Sequence, residues 1–194
     1  SGLGYYARAR NLHKAAIIVA NQFGSAFPDN VDALAELPGI GRSTAGAIVS
    51  IAFAKRATIL DGNVKRVLAR YHGVDGWPGI TQVHDELWQY AKTHTPPRRV
   101  AHYSQAMMDL GATLCTRSRP ACPRCPLQQN CIAHRQGKPE QYPGKKRKKI
   151  LPKKSVQMLL IQNGAGEIWL QQRPPTGIWG GLWSLPEIAM DADC

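Results

Sequence analysis

A chain of 194 residues, 43% hydrophobic and 20% charged, has ordinary globular composition and is long enough for one domain and part of another. It holds no run of about 18 apolar residues, which argues against a membrane span, and its first residues, SGLGYYARAR, have no apolar signal core. Its 25 basic and 13 acidic residues leave a net charge of +12, which points toward a polyanionic partner.

The first 23 residues open with Gly2-Leu3-Gly4-Tyr5-Tyr6, after which Leu12, Ala15, Ala16, Val19 and Phe23 recur at helical spacing. Paired aromatics after a glycine turn can wedge between bases or pack in a core. Phe27-Pro28-Asp29-Asn30 is a turn with capping residues. Val31, Leu34 and Leu37 then give a short helix that Pro38 ends, and Gly39 and Gly41 permit backbone geometries closed to other residues. Ser43 and Thr44 can cap the next helix, whose apolar stripe is Ala45, Ile48, Val49 and Ala52. Residues 31–54 therefore predict a helix-hairpin-helix. The N–H groups of its turn and following helix start can hold a phosphate without reading sequence, with Arg42 beside them.

Thr58-Ile59-Leu60 leads into Asp61-Gly62-Asn63, which opens a helix with Val64, Val67, Leu68 and Tyr71 on one face. Lys65, Arg66 and Arg70 supply positive charge to it. Asp61 taken alone is an N-cap, worth about 1 kcal/mol, and a cap can also point into a cleft. Trp77-Pro78 lies in a loop, Val83, Leu87, Trp88 and Ala91 make a further amphipathic helix, and Tyr103, Ala106, Met107, Leu110 and Leu114 make a longer one that runs into Cys115.

Four of the five cysteines crowd into residues 115–131 as Cys115, Cys122, Cys125 and Cys131, with gaps of six, two and five residues. A single dense cluster suggests metal in a reducing compartment rather than a disulfide framework. Zinc sites usually come as two close pairs, whereas four thiolates on one loop can hold a cubane iron–sulfur cluster. The chemistry leans toward iron–sulfur and leaves zinc open. Residues 137–154 hold eight Lys/Arg and one Glu and read as a basic linker. Beyond it the period changes. Val156–Ile161 and Ile168–Gln172 are strand-like and joined by Asn163-Gly164-Ala165-Gly166, a hairpin signal. The chain thus divides into a mainly helical domain (1–136), the linker, and the start of a strand domain (155–194), and it reads as a piece of something longer.

Four features in order resemble the helix-hairpin-helix DNA glycosylases that carry an iron–sulfur cluster: LPGIG, an Asp twenty residues after the second hairpin glycine, the four-cysteine loop, and a linker into a mixed strand domain. GLGYYARARNL, LDGNVKRVLAR, QAMMDLGATLC and RPPTGIWGGLW are similar to the MutY-type adenine DNA glycosylases. That resemblance implies an intracellular, monomeric repair enzyme whose partner is duplex DNA with adenine opposite 8-oxoguanine or guanine. The adenine is flipped out and its N-glycosidic bond hydrolysed. It makes Asp61 the catalytic carboxylate, which stabilises positive charge on the sugar, and Asn63 a polar neighbour. Tyr5 becomes a duplex wedge, Leu3 a lesion contact, and Gly39, Gly41, Arg42 and Lys65 backbone contacts. Cys115, Cys122, Cys125 and Cys131 become 4Fe–4S ligands, and the strand domain becomes α/β and Nudix-like.

Ser43 stands where related glycosylase–lyases carry a nucleophilic Lys, which favours a monofunctional hydrolase over an endonuclease III-like lyase. The family's second catalytic carboxylate, a Glu that protonates the adenine ring, belongs ahead of Leu3 and is not in this sequence, so the chain alone is expected to be inactive or nearly so. The competing readings are a non-catalytic DNA-binding module and a zinc-stabilised structural module.

Overall fold

The computed structural model describes residues 6–146, 153 and 155–188, and the chain divides into two compact units, Ser1–Arg147 and Lys148–Cys194. The first is helical: α1 (Tyr6–Gln22), α2 (Val31–Ala35), α3 (Arg42–Ala52), α4 (Gly62–His72), α5 (Thr81–His94), α6 (Val100–Asp109) and α7 (Ile132–Arg135). Among the described residues no helix is long and apolar enough to cross a membrane.

Two apolar clusters organise this unit. One gathers Ala15 and Val19 of α1, Leu34 and Leu37, and Ala45 and Val49 of α3. The helix expected near the amino terminus forms, but on a narrower stripe, because Leu12 is 63% exposed and Ala16 is exposed as well. The second cluster packs Ile59, Leu60, Val64, Val67 and Leu68 against Leu87, Trp88 and Ala91 of α5 and Met107 of α6. It surrounds the apolar face of α4.

The hairpin forms from local chemistry. Asn30 Oδ1 accepts from Ala33 N at 2.8 Å and caps α2. Ile40 N donates to Leu37 O at 3.0 Å to close the turn, with Gly39 at φ +82°, a conformation that costs glycine little. Gly41, not Ser43 or Thr44, is the N-cap of α3, and it offers no side chain for the cap. The expectation that Ser43 caps this helix is therefore corrected. Its position inside the first turn leaves its hydroxyl for another partner.

α6 does not run unbroken into Cys115. It widens into a π turn, Leu110–Leu114, in which Cys115 N donates to Leu110 O at 2.7 Å. Such turns leave carbonyls without their usual intrahelical donors. The stretch expected as a linker over 137–154 also begins folded. Tyr142 is 8% exposed, its hydroxyl donates to Gln136 Oε1 at 2.9 Å, Glu140 Oε1 accepts from Arg119 N at 2.6 Å, and Lys146 Nζ lies 5.1 Å from the centroid of the Trp77 ring.

In the second unit β1 (Gln157–Met158) pairs antiparallel with β4 (Glu187–Ile188), and β2 (Gln171–Gln172) with β3 (Trp183–Ser184). The expected hairpin turn is present: Asn163 Oδ1 accepts from Ala165 N and Glu167 N beside a single bridge between Gln162 and Ile168. The expected strands over Val156–Ile161 and Ile168–Gln172 are otherwise reduced to two-residue ladders. Leu160, Trp169 and Trp183 are exposed, and a ladder that buries little apolar surface has little to extend it.

Gly46 is buried in α3, and a Cβ there would run into the backbone carbonyl of Thr58. Gly46→Ala gains about 1 kcal/mol of helix propensity but forces apart the contact between α3 and the segment before Asp61, an overpacking cost of about 3 kcal/mol. A lower melting temperature by circular dichroism is expected; an unchanged or raised one contradicts the close approach.

Candidate catalytic and nucleic-acid site

Asp61 sits at the head of α4 as its N-cap, with Oδ1 accepting from Val64 N at 2.8 Å. Asp61 Oδ2 has no hydrogen-bond partner among the described residues, so the same side chain both ends the helix and presents a carboxylate oxygen. The residue before it is held from the hairpin side. Leu60 N donates to Ser43 Oγ at 2.8 Å, and Gly46, one turn along α3, lets the Thr58 carbonyl approach the helix backbone. Ser43 thus latches the Asp61 segment to the first turn of α3, the place where the hairpin offers N–H groups.

Arg66 and Arg70 face inward rather than out. Arg66 Nε donates to Cys115 O at 2.6 Å, and one terminal nitrogen donates to Gly111 O at 2.6 Å and to Asn63 Oδ1 at 2.8 Å. It takes up carbonyls that the π turn leaves over. Burial lowers the Arg66 pKa, opposed by the neighbouring Cys115 and Asp61. Asn63 also packs directly on Gly111, where a Cβ would collide with it. Arg70 is 2% exposed. Its guanidinium donates to Tyr142 O at 3.0 Å, Thr116 O at 2.7 Å, Arg117 O at 3.1 Å and Cys115 Sγ at 3.3 Å. Its own carbonyl accepts from Cys131 Sγ at 3.4 Å. One helix therefore ties the Asp61 end to the cysteine loop.

The four loop cysteines form no disulfide among the described residues and line a single cavity with Arg70, Leu114, Pro120 and His134. Burial raises the Cys122 thiol pKa, and the neighbouring Cys115, Cys131 and Cys125 raise it further. Burial raises Cys125 too. A tetrahedral zinc, with Zn–S of about 2.3 Å, would draw its thiolates to within about 3.8 Å of one another. Among the described residues no three His, Cys, Asp or Glu side chains gather that way around one ion. Four thiols on one cavity, with the Arg70 guanidinium beside them, are a donor set that suits a group held by several thiolates.

Of the other residues singled out by sequence, Gly39, Gly41 and Arg42 lie together at the hairpin, and Lys65 lies on α4 one turn from Asp61. Leu3 and Tyr5 fall outside the described residues. The sequence marks Arg66 and Arg70 only as positive charge on this helix. Their spacing of four residues, on one side of a helix whose opposite face is apolar, is the signal that they share a target.

Comparison with known proteins places this geometry. A helix-hairpin-helix motif model matches residues 22–51 and a NUDIX domain model matches residues 157–193. An adenine DNA glycosylase of Buchnera aphidicola from Acyrthosiphon pisum is 41% identical over 96% of this chain and 53% of its own length. The Homo sapiens adenine DNA glycosylase is 34% identical over 98% of this chain and 43% of its own. The chain spans about half the length of the curated relatives it matches. Among solved structures, a thermostable thymine-DNA glycosylase aligns with a TM-score of 0.59 and 32% identity, covering 66% of this chain and 59% of that one. A non-covalent endonuclease III–DNA complex aligns at 0.55 and 28%, covering 68% and 59%.

Arg70→Met keeps the apolar stem and strands three carbonyls, Tyr142 O in a buried bond and Thr116 O and Arg117 O in part-buried ones. At roughly 1–3 kcal/mol for each unsatisfied group, partly relieved by relaxation, a loss of about 3 kcal/mol is expected. The denaturation midpoint should fall with the slope unchanged. Lys65→Met should change stability by less than about 0.5 kcal/mol. Equal midpoints for the two variants contradict the assignment of Arg70.

Proposed function

The chain belongs to the adenine DNA glycosylase family, and from that premise we propose that its helical unit serves base-excision repair, releasing adenine paired with 8-oxoguanine or guanine in duplex DNA. The observation that carries the reading is the placing of Asp61: an N-cap with one oxygen that takes no hydrogen bond among the described residues, latched through Ser43 and Leu60 to the helix that follows the hairpin.

The hairpin holds the DNA backbone through the turn at Gly39 and Gly41 and through Arg42, with Lys65 as a further cation near the phosphates. The target adenine leaves the stack, since its glycosidic bond is not reachable there. As the bond from the sugar C1′ to N9 breaks, positive charge grows on the deoxyribose, and the free Asp61 oxygen stabilises it electrostatically. Water adds its oxygen to C1′ and gives up one proton, and adenine leaves with a proton on the nitrogen that held the sugar. Ser43 carries no amine, so no covalent imine to the sugar forms by that route. Arg66 holds Asn63 in place beside the reacting end of α4. Tyr5 and Leu3 are assigned to the lesion side by resemblance alone.

Cys115, Cys122, Cys125 and Cys131 would hold a 4Fe–4S cluster, which would fix the loop that presents Arg117, Arg119 and Arg124. The cysteine loop should make the purified protein brown, with absorbance near ~400 nm and with iron and acid-labile sulfide in equal amounts. Zinc without sulfide would contradict the assignment.

Asp61→Asn retains a good N-cap and removes the charge. In the full-length protein it should leave melting temperature and duplex affinity nearly level and cut single-turnover adenine release by 100-fold or more, on the order of 2.7–4 kcal/mol of transition-state stabilisation. Excision at the unsubstituted rate overturns the catalytic reading of Asp61.

A further inference from the structure

Arg42 is the first residue of α3. Its side chain is exposed and makes no hydrogen bond or ion pair among the described residues. What it has instead is an aromatic face: its Cζ stands 4.2 Å from the centroid of the Trp88 ring. Stacking a guanidinium on an aromatic face leaves its N–H edge available for a bidentate anion. The space beside it is open, because a Cβ on Gly41 would meet nothing within 4 Å.

Trp88 is itself fixed. It is 6% exposed, and its Nε1–H donates to His84 Nε2 at 3.2 Å, one turn back on α5. The bond from Trp88 to His84 sets the rotation of the indole and so the plane on which Arg42 rests.

We propose that Trp88 is a positioning residue for DNA binding: anchored by His84, it holds the Arg42 guanidinium at the hairpin with its N–H edge turned to a backbone phosphodiester. This rests on the reading of the hairpin as a phosphate grip and adds to it a second helix, α5, that touches no DNA itself.

The test is equilibrium binding of the full chain to a blunt 20-base-pair duplex without a mispair, by fluorescence anisotropy from 50 to 250 mM KCl. Loss of one phosphate contact lowers the slope of log affinity against log salt by about 0.9, roughly a fivefold weakening at 0.15 M. Arg42→Ala is expected to show that loss. Trp88→Leu should show most of it, and the Arg42→Ala/Trp88→Leu double variant no more than Arg42→Ala alone. Trp88→Phe, which keeps a ring face and most of the core volume, should recover most of the slope. His84→Ala should weaken binding in the same direction and have no effect in the Arg42→Ala background. Should Trp88→Leu melt below the assay temperature, the Phe and His84 variants carry the test. Additive losses at Trp88 and Arg42, or an unchanged slope in Trp88→Leu, overturn the proposal while leaving the hairpin reading intact. An unchanged slope in Arg42→Ala overturns both.

Discussion

Two inward-turned guanidinium groups on one helix, Arg70 buried and Arg66 half-buried, decide how the rest of the helical unit is arranged. The π turn at Leu110–Leu114 and the loop after it leave backbone carbonyls inside the protein without intrahelical donors. Arg66 and Arg70 supply those donors, reaching Gly111, Cys115, Thr116, Arg117 and Tyr142. A buried arginine is tolerated only when its charge is compensated and its N–H groups are paired. Here the carbonyl dipoles and the Cys115 sulfur do both. The cysteine loop, the start of the basic segment at Tyr142 and the Asp61 end of α4 are therefore one hydrogen-bonded assembly.

The other half of the unit is held by close backbone approach. Gly46 admits the Thr58 carbonyl against α3, and Ser43 accepts the amide of Leu60. The hairpin that would grip a phosphate and the carboxylate that would face the sugar are separated by one short extended segment fixed at both ends. For a reaction in which a base must be flipped and its bond presented to a charge, such preorganisation matters more than any single contact.

Much of this was legible in the sequence. The hairpin was, because Asn30, Pro38 and the two glycines each have a local physical meaning that tertiary structure did not override. Asp61 as a cap followed from its place before an amphipathic run. The inward turn of Arg66 and Arg70 did not follow, since a basic residue on a helix is a solvated one by default, and what pulls these in is a π turn whose carbonyls no periodicity announces. The role of Ser43 was half legible. Its chemistry argued against an amine nucleophile, but its partner, Leu60, lies seventeen residues away in sequence. The strand signals after Val156 were read correctly as to turn and type and too generously as to length, because ladder length depends on what covers the apolar face.

The central claim is that α4 joins the Asp61 end to the cysteine loop through Arg66. Amide hydrogen exchange in Arg66→Gln tests it most directly, read at Val64, whose N–H the Asp61 cap protects, and at Cys115, whose N–H closes the π turn. The account expects both amides to lose protection together, by about tenfold or more, a local opening cheaper by about 1.4 kcal/mol. Loss confined to Cys115 with Val64 unchanged would contradict it, leaving two sites that merely share a helix.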